Sequence, residues 1–250
     1  MELTELTAFL DQELRIGEIP DYPGAHNGLQ LASEAPVGRV AAAVDASLAV
    51  IGQAVAQGAQ LLIVHHGMFW RGVEPLTGPR FRKLKTAIDG GLAIYSAHLP
   101  LDVHPRLGNN ACLAAAIGLS ACEPFLEWRG IHLGLAGGMD LAREELAGRV
   151  SQAVGGPVHC CPGGPQRVGR VGLVTGGAGS EVAAAAACGI DTFITGEGPH
   201  WSFPLAEELG VNVLYAGHYA TETFGVRALA AELGQRFGLE WGFIDRPSGL

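Results

Sequence analysis

The feature that most constrains this chain is an alternation of short apolar runs, each stopping on a polar group, with stretches of helical spacing. Arg39–Val44 closes on Asp45, Gln60–Val64 on His65-His66-Gly67, and Leu92–Ala97 on His98. Later in the chain, Ile190–Thr195 closes on Gly196-Glu197 and Asn212–Ala216 on Gly217-His218. Runs this short and this uniformly apolar fit buried strands, because both faces of a central parallel strand are covered. Between and around them, Ser47–Gln57, Phe81–Ile88, Asn109–Ile117, Leu141–Val154, Ser180–Cys188 and roughly Thr221–Phe237 read as helices. Leu3, Leu6, Phe9, Leu10 and Leu14 open the chain at helical spacing, and a Pro- and Gly-bearing loop follows from Gly17 to Gly28. Further strands are expected at Arg129–Ala136, Arg170–Thr175 and Leu239–Ile244. The alternation predicts an α/β fold with largely parallel sheets. Its recurrence in the second half predicts two α/β units, residues 1–126 and 127–250.

In open α/β sheets, ligands gather beyond the carboxyl ends of the strands. Asp45, His65, His66, His98, Glu197 and His218 all fall there. His65 and His66 leave a core strand together, and neutral imidazole is the commonest metal donor among side chains. Side chains alternate along an extended chain, so the two rings are expected to diverge unless Gly67 bends it. Read alone, the pair also fits two polar residues leaving a strand, one bonded to backbone and one solvated. The segment His98-Leu99-Pro100-Leu101-Asp102-Val103-His104-Pro105 holds a histidine and a carboxylate in what its two prolines predict to be a stiff loop. In Gly217-His218-Tyr219-Ala220-Thr221-Glu222, a helix starting near Tyr219 places Glu222 one turn beyond His218. Two carboxylate oxygens let Glu222 bridge two cations, although an acid in a first helical turn also suits the helix dipole. Imidazoles mixed with carboxylates suit Zn, Fe, Mn or Ni better than Ca. Together the three segments point to a dinuclear centre.

Other candidates are less specific. The turn Gly176–Gly179, between a strand and a helix, could present backbone N–H groups to an anion or serve only as a tight turn. Glu197 could support a metal ligand or touch substrate, or lie on the surface. His26, His104, His132, His159 and His200 read as surface or packing residues. The adjacent Cys160 and Cys161 beside His159 offer a soft-metal alternative, but the five cysteines lack any CxxC spacing. Their odd number speaks against a disulfide framework. Sixteen basic against 25 acidic residues give a formal charge of −9, which disfavours nucleic-acid binding. The acidic, helix-patterned start is not a signal peptide, and no apolar run approaches the roughly 18 residues of a membrane span. The expected location is the cytoplasm, with no membrane association.

The segments Asn27-Gly28-Leu29-Gln30, His65-His66-Gly67, His98 through Asn110, Thr195-Gly196-Glu197 and Gly217 through Glu222 occur in one order across almost the whole chain. In this set the chain resembles the family named for an NGG-interacting factor, whose members are labelled GTP cyclohydrolase 1 type 2 homologues. The resemblance implies two intertwined α/β units with the metal site between them, two divalent ions per subunit, and a homohexamer. It also implies the ligands His65, His66, Asp102, His218 and Glu222, with His98 lining the site. Two functions stay open at this stage. One is a metal-dependent hydrolase opening a nucleotide ring or cleaving a phosphoester, with His98 as the candidate catalytic acid. The other is a non-catalytic metal-binding scaffold or interaction protein.

Overall fold

The structure is a computed structural model, and it describes residues 1–70, 72 and 74–249. Along the chain the order begins α1 (Leu3–Glu13), β1 (Gly28–Leu31), β2 (Arg39–Asp45), α2 (Leu48–Ala56), β3 (Leu61–His66), α3 (Gly78–Asp89), β4 (Ala93–Ser96) and the single turn α4 (Leu99–Asp102). It continues with α5 (Asn109–Ile117), β5 (Glu123–Trp128), β6 (Ile131–Ala142), α6 (Arg143–Val154), β7 (His159–Pro162) and β8 (Arg167–Leu173). After a 3-10 turn come α7 (Val182–Ala187), β9 (Thr192–Thr195), α8 (Ser202–Leu209), β10 (Asn212–Tyr215), α9 (His218–Thr221), α10 (Thr223–Phe237) and β11 (Glu240–Phe243). The α/β class expected from the alternation is the one found.

The chain forms two compact units. The first comprises Met1–Leu101 and Gly225–Arg246, the second Asp102–Phe224 and Pro247–Leu250. In the first, one five-stranded sheet runs β1-β4-β3-β2-β11. All its pairings are parallel except β1 with β4. β3, with the run Leu61-Leu62-Ile63-Val64, sits at the centre with both edges paired, which explains why it is apolar on both faces. Val50, Ile51 and Ala54 of α2 close over Ala41, Leu62, Val64, Leu92 and Ile94 as one buried cluster. Each of the valine, leucine and isoleucine side chains contributes about 1.5–3 kcal/mol by leaving water, and the alanines less. Ser47 caps α2, its hydroxyl accepting from the backbone N–H of Val50 at 3.2 Å.

The second unit carries a six-stranded sheet, β5-β6-β8-β9-β10-β7. Here parallel pairing is confined to β8-β9-β10, while β5-β6, β6-β8 and β7-β10 are antiparallel. The first of these antiparallel pairings has a local cause. Arg129 and Gly130 both have positive φ, 49° and 82°, and close Trp128 against Ile131 as a two-residue hairpin. The strand expected to start at Arg129 therefore starts at Ile131. The edge strand β7, the strands β1 and β5, and the helix α8 were not visible in the sequence. The stiff loop expected after His98 contains the one-turn helix α4 instead. Pro100 sits at its second position, where a missing N–H costs nothing, and the N–H of Leu99 finds Asp21 Oδ2 at 3.1 Å. The long final helix is interrupted at Glu222, between α9 and α10. Among the described residues, no helix is long and apolar enough to cross a membrane.

Candidate metal centre

In the first unit the donors are set by strand register. Asp45 on β2 stands opposite His66 on β3, and Ser96 on β4 stands opposite Val64. The first pairing brings His66 Nδ1–H to Asp45 Oδ1 at 2.9 Å. The second brings His65 Nδ1–H to the carbonyl of Ala97, also at 2.9 Å. His98, one residue on, donates from Nδ1 to Asp21 Oδ1 at 2.9 Å, and its backbone N–H reaches Asn27 Oδ1 at 2.7 Å. An imidazole that donates from Nδ1 carries its lone pair on Nε2, the tautomer a metal needs. The ligand nitrogens of His65, His66 and His98 lie within 4.8 Å of one another and could hold a metal ion. His65 is fully buried, and the other two are half-buried.

The expected divergence of His65 and His66 does not occur. Their ring centroids are 4.8 Å apart, and those of His65 and His98 4.9 Å. Alternation fixes only the Cα–Cβ directions. The two rings are anchored on opposite neighbours of β3, one toward β2 and one toward the end of β4, and those anchors swing both past the sheet end. Gly67 matters here by its size: a Cβ would lie 2.3 Å from Gln30 Nε2 and 2.6 Å from Ser96 Oγ. Gln30 in turn accepts from the N–H of Met68 at 2.7 Å and donates to the His26 carbonyl.

In the second unit the donors are set by glycine contacts. Gly217, at φ 90°, turns the chain from β10 into α9 and places His218 first in that helix. His218 Nδ1 bonds Glu197 Oε1 at 2.8 Å, and its Nε2 lies 3.2 Å from Glu222 Oε1. Glu197 follows β9 and is flanked by two glycines that have no room for a side chain. A Cβ on Gly196 would meet Gly176 O at 2.6 Å and His218 Cα at 2.7 Å, and one on Gly198 would meet Gly179 Cα at 2.8 Å. Glu222 is buried, with an exposure of only 3%. Gly176, at φ 69°, forms the wall against it, for a Cβ there would fall 2.2 Å from Glu222 Oε1. Asp102, also buried, is held through Oδ1 by Asn109 Nδ2 at 2.8 Å and the Thr175 hydroxyl at 3.3 Å.

The turn at Gly176–Gly179 is accounted for by this packing. The N–H groups of Thr175, Gly176, Ala178 and Gly179 go to Asn110 Oδ1, Thr221 Oγ1, Thr195 Oγ1 and the Glu197 carbonyl. Bonds already made inside the protein leave those donors to no anion. The soft-metal alternative also fails. Cys160 and Cys161 lie on opposite faces of β7, in two different apolar clusters, and burial pushes both thiols up. Their adjacent positions on a strand explain the split. Sequence reasoning missed the anchor Asp21, and it marked Asn27 and Asn109 as parts of matching segments without reading their anchoring role. Asp21 lies in a loop with no periodicity, and only its distance to His98 in space reveals it.

The electrostatics separate the two donor groups. Glu222, first by its hydrogen bond and then by its charge, together with Glu197, raises His218 to about 9 against the opposing effect of burial. The His98 hydrogen bond and charge hold the Asp21 carboxyl below its usual range, although burial, the largest single effect, pulls the other way. Imidazoles with oriented Nδ1–H groups, beside buried carboxylates, are the donor chemistry of a borderline divalent ion such as Zn, Fe, Mn or Ni. The side chains present fit such an ion.

The comparisons with known proteins agree with one another. The family model described as Duf34/NIF3 (NGG1p interacting factor 3) matches residues 1–248. A protein of Deinococcus radiodurans named GTP cyclohydrolase 1 type 2 homolog is 44% identical over 248 residues, covering 98% of this chain and 94% of its own. Its namesake in Escherichia coli K12 is 39% identical over 253 residues and covers 99% of both chains. Among solved structures, the protein TTHA1606 of Thermus thermophilus superposes with a TM-score of 0.90 at 42% identity over 100% of both chains. The protein ybgI, described as of unknown function, reaches 0.93 at 38% identity, again over 100% of both chains. With residues 1–248 matched by the family model and 98% of the chain by a relative of 44% identity, the chain belongs to the DUF34/NIF3 family.

Proposed function

We propose that this protein is a dinuclear metal-dependent hydrolase acting on a nucleotide or phosphoester, with His65, His66, Asp102, His218 and Glu222 as ligands of two divalent ions. The observation that carries the reading is the convergence of His65, His66 and His98, each with Nδ1 bonded to an oxygen acceptor. Surface histidines have no reason to be tethered three times over in the same tautomer. Asp102, His218 and Glu222 complete the set implied by the resemblance, and their buried carboxylates supply the negative charge that two cations need. The relatives' name, GTP cyclohydrolase 1 type 2 homolog, supports a nucleotide as the substrate. A pair of divalent ions supplies Lewis acidity and an activated water for hydrolysis. The chain's own residues do the rest. His98, steadied by Asp21 at Nδ1, presents the Nε2 lone pair, which can take up a proton and pass it to a departing nitrogen or oxygen. Glu197 holds the His218 ring in place. Glu222, pinned against Gly176, would be the carboxylate shared by the two ions.

The resemblance supports assembly as a homohexamer, for which light scattering should give six times the 26.0 kDa subunit. The reaction is tested on gently purified protein. Elemental analysis should find about two divalent ions per chain, and reloading with Zn, Fe, Mn or Ni should restore turnover of GTP or of a p-nitrophenyl phosphoester. Only trace metal after mild reloading would overturn the metal centre. Full metal occupancy without turnover of either substrate class would overturn the hydrolase and leave a metal-binding scaffold.

A further inference from the structure

Beside His218 the second unit contains a cavity of about 500 Å³, bordered by Glu197, Pro199, His200, Phe203, His159 and Tyr215. That volume lies within the roughly 300–1,000 Å³ of small-molecule sites. Four of its borders are flat rings, and three of them pack together. His159 packs at 5.8 Å from Phe203 and at 6.3 Å, nearly parallel, from Tyr215. Tyr215 is fixed in turn, because its hydroxyl shares a 2.7 Å hydrogen bond with the buried Ser202. Glycines on either side of Glu197 leave no side chain of their own to fill the space around its carboxylate.

The chemistry of these borders is selective. Flat rings favour a flat, heteroaromatic ligand, since base–aromatic stacking works for any π-face. A carboxylate is an acceptor only, with about four lone-pair positions. One of them, on Oε1, takes the His218 Nδ1–H at 2.8 Å. The remaining positions can serve two adjacent N–H donors on the edge of a ring. Guanine has such an edge, with N1–H next to the exocyclic amine. Adenine presents an unprotonated N1 there, which would face the carboxylate acceptor to acceptor.

We infer that this cavity is a base subsite for a guanine-type ring, stacked among Phe203, His159 and Tyr215 and read by Glu197. The assignment deepens the proposed function and rests on it for any step after binding, since Glu197 would then hold the base on one side and His218 on the other. Glu197 is the specificity-determining residue, and Phe203 is part of the stacking wall.

The test is equilibrium binding by calorimetry to the full-length, metal-containing protein. The probes are 7-deazaguanosine, which keeps the donor edge but lacks the imidazole nitrogen needed for ring opening, and 7-deazaadenosine. One guanosine analogue should bind per chain, about tenfold or more tighter than the adenosine analogue. Phe203→Ala should weaken both by about tenfold. Glu197→Gln should erase most of the preference. The metal content of each variant is measured alongside, and Phe203→Ala should keep it unchanged. No saturable binding up to about 1 mM, equal affinity for the two analogues, or indifference to Phe203→Ala would overturn the subsite. Metal occupancy with phosphoester turnover but without nucleoside binding would overturn this inference alone. Selective nucleoside binding without turnover would overturn only the hydrolase.

Discussion

The sheet end of the first unit and the sheet end of the second reach similar donor sets by different means. In the first, three imidazoles are aimed by strand register and by oxygen anchors on neighbouring strands and loops. In the second, His218, Glu197 and the buried Glu222 are aimed by glycines packed too closely for a side chain, while Asp102 is held by Asn109 and Thr175. Register-set donors rest on hydrogen bonds that can each be lost singly. Contact-set donors rest on the absence of atoms. The second arrangement should therefore be the more brittle.

The sharpest way to break that comparison is an added methyl group. Gly176→Ala combines a positive φ of 69° with a Cβ placed 2.2 Å from Glu222 Oε1. We expect about 3 kcal/mol of destabilisation from left-handed backbone and overpacking together. Glu222 should also be displaced, with loss of bound metal seen by elemental analysis. Gly67→Ala is the matched change in the first unit. Its Cβ would meet two side-chain ends that can turn away at the cost of their hydrogen bonds, the Gln30 amide and the Ser96 hydroxyl, and Gly67 is not among the residues with positive φ. Denaturant melts should show it costing only about 1 kcal/mol. Equal costs for the two variants would remove the distinction between the units.

Between these two in size lies the loss of an anchor. Asp45→Ala removes the carboxylate that accepts from His66 Nδ1–H. Groups that orient a metal-binding histidine typically matter about 10- to 100-fold in affinity, so metal titration should show a loss in that range. The fold should be little affected, because Asp45 is half-exposed at the strand end. Metal affinity unchanged by Asp45→Ala would mean that register alone aims His66.

The same contrast explains what was legible in the sequence. Continuous apolar runs such as Leu61–Val64 announce central strands, and β2, β3, β9 and β10 fell near their expected places. The polar groups at their ends were visible for the same reason. Short edge strands carry no such signal: β7 is His-Cys-Cys-Pro, and β5 opens with Glu-Pro. The β5-β6 hairpin depends on Arg129 adopting a positive φ, which its side chain does not advertise. The anchors were hidden too, since Asp21 and His98 are 77 residues apart in sequence. The direction of the His65 and His66 rings was misjudged because alternation governs the backbone, whereas the anchors govern the rings.

The most graded effect, spread over several pH units, concerns protons, and it separates the units by charge. In the metal-free protein Glu222, chiefly by hydrogen bonding, and Glu197 raise His218 to about 9. A pKa raised on folding stabilises the fold below the unfolded value of about 6.5, and that contribution is lost as pH rises through about 9. Melting of metal-depleted protein should therefore weaken gently between those two values, with a slope of no more than one proton. Glu222→Gln should flatten it. Metal uptake should run the opposite way over the same window. An ion needs the unprotonated Nε2 that the proton otherwise occupies, so affinity should climb by up to about tenfold per pH unit. His218→Gln removes the competing proton and should leave a shallower pH dependence, even as it weakens binding. A metal-free melting point flat from pH 6.5 to 9, with uptake equally flat, would show that the carboxylates do not charge His218 and that the second unit is not the proton-sensitive one.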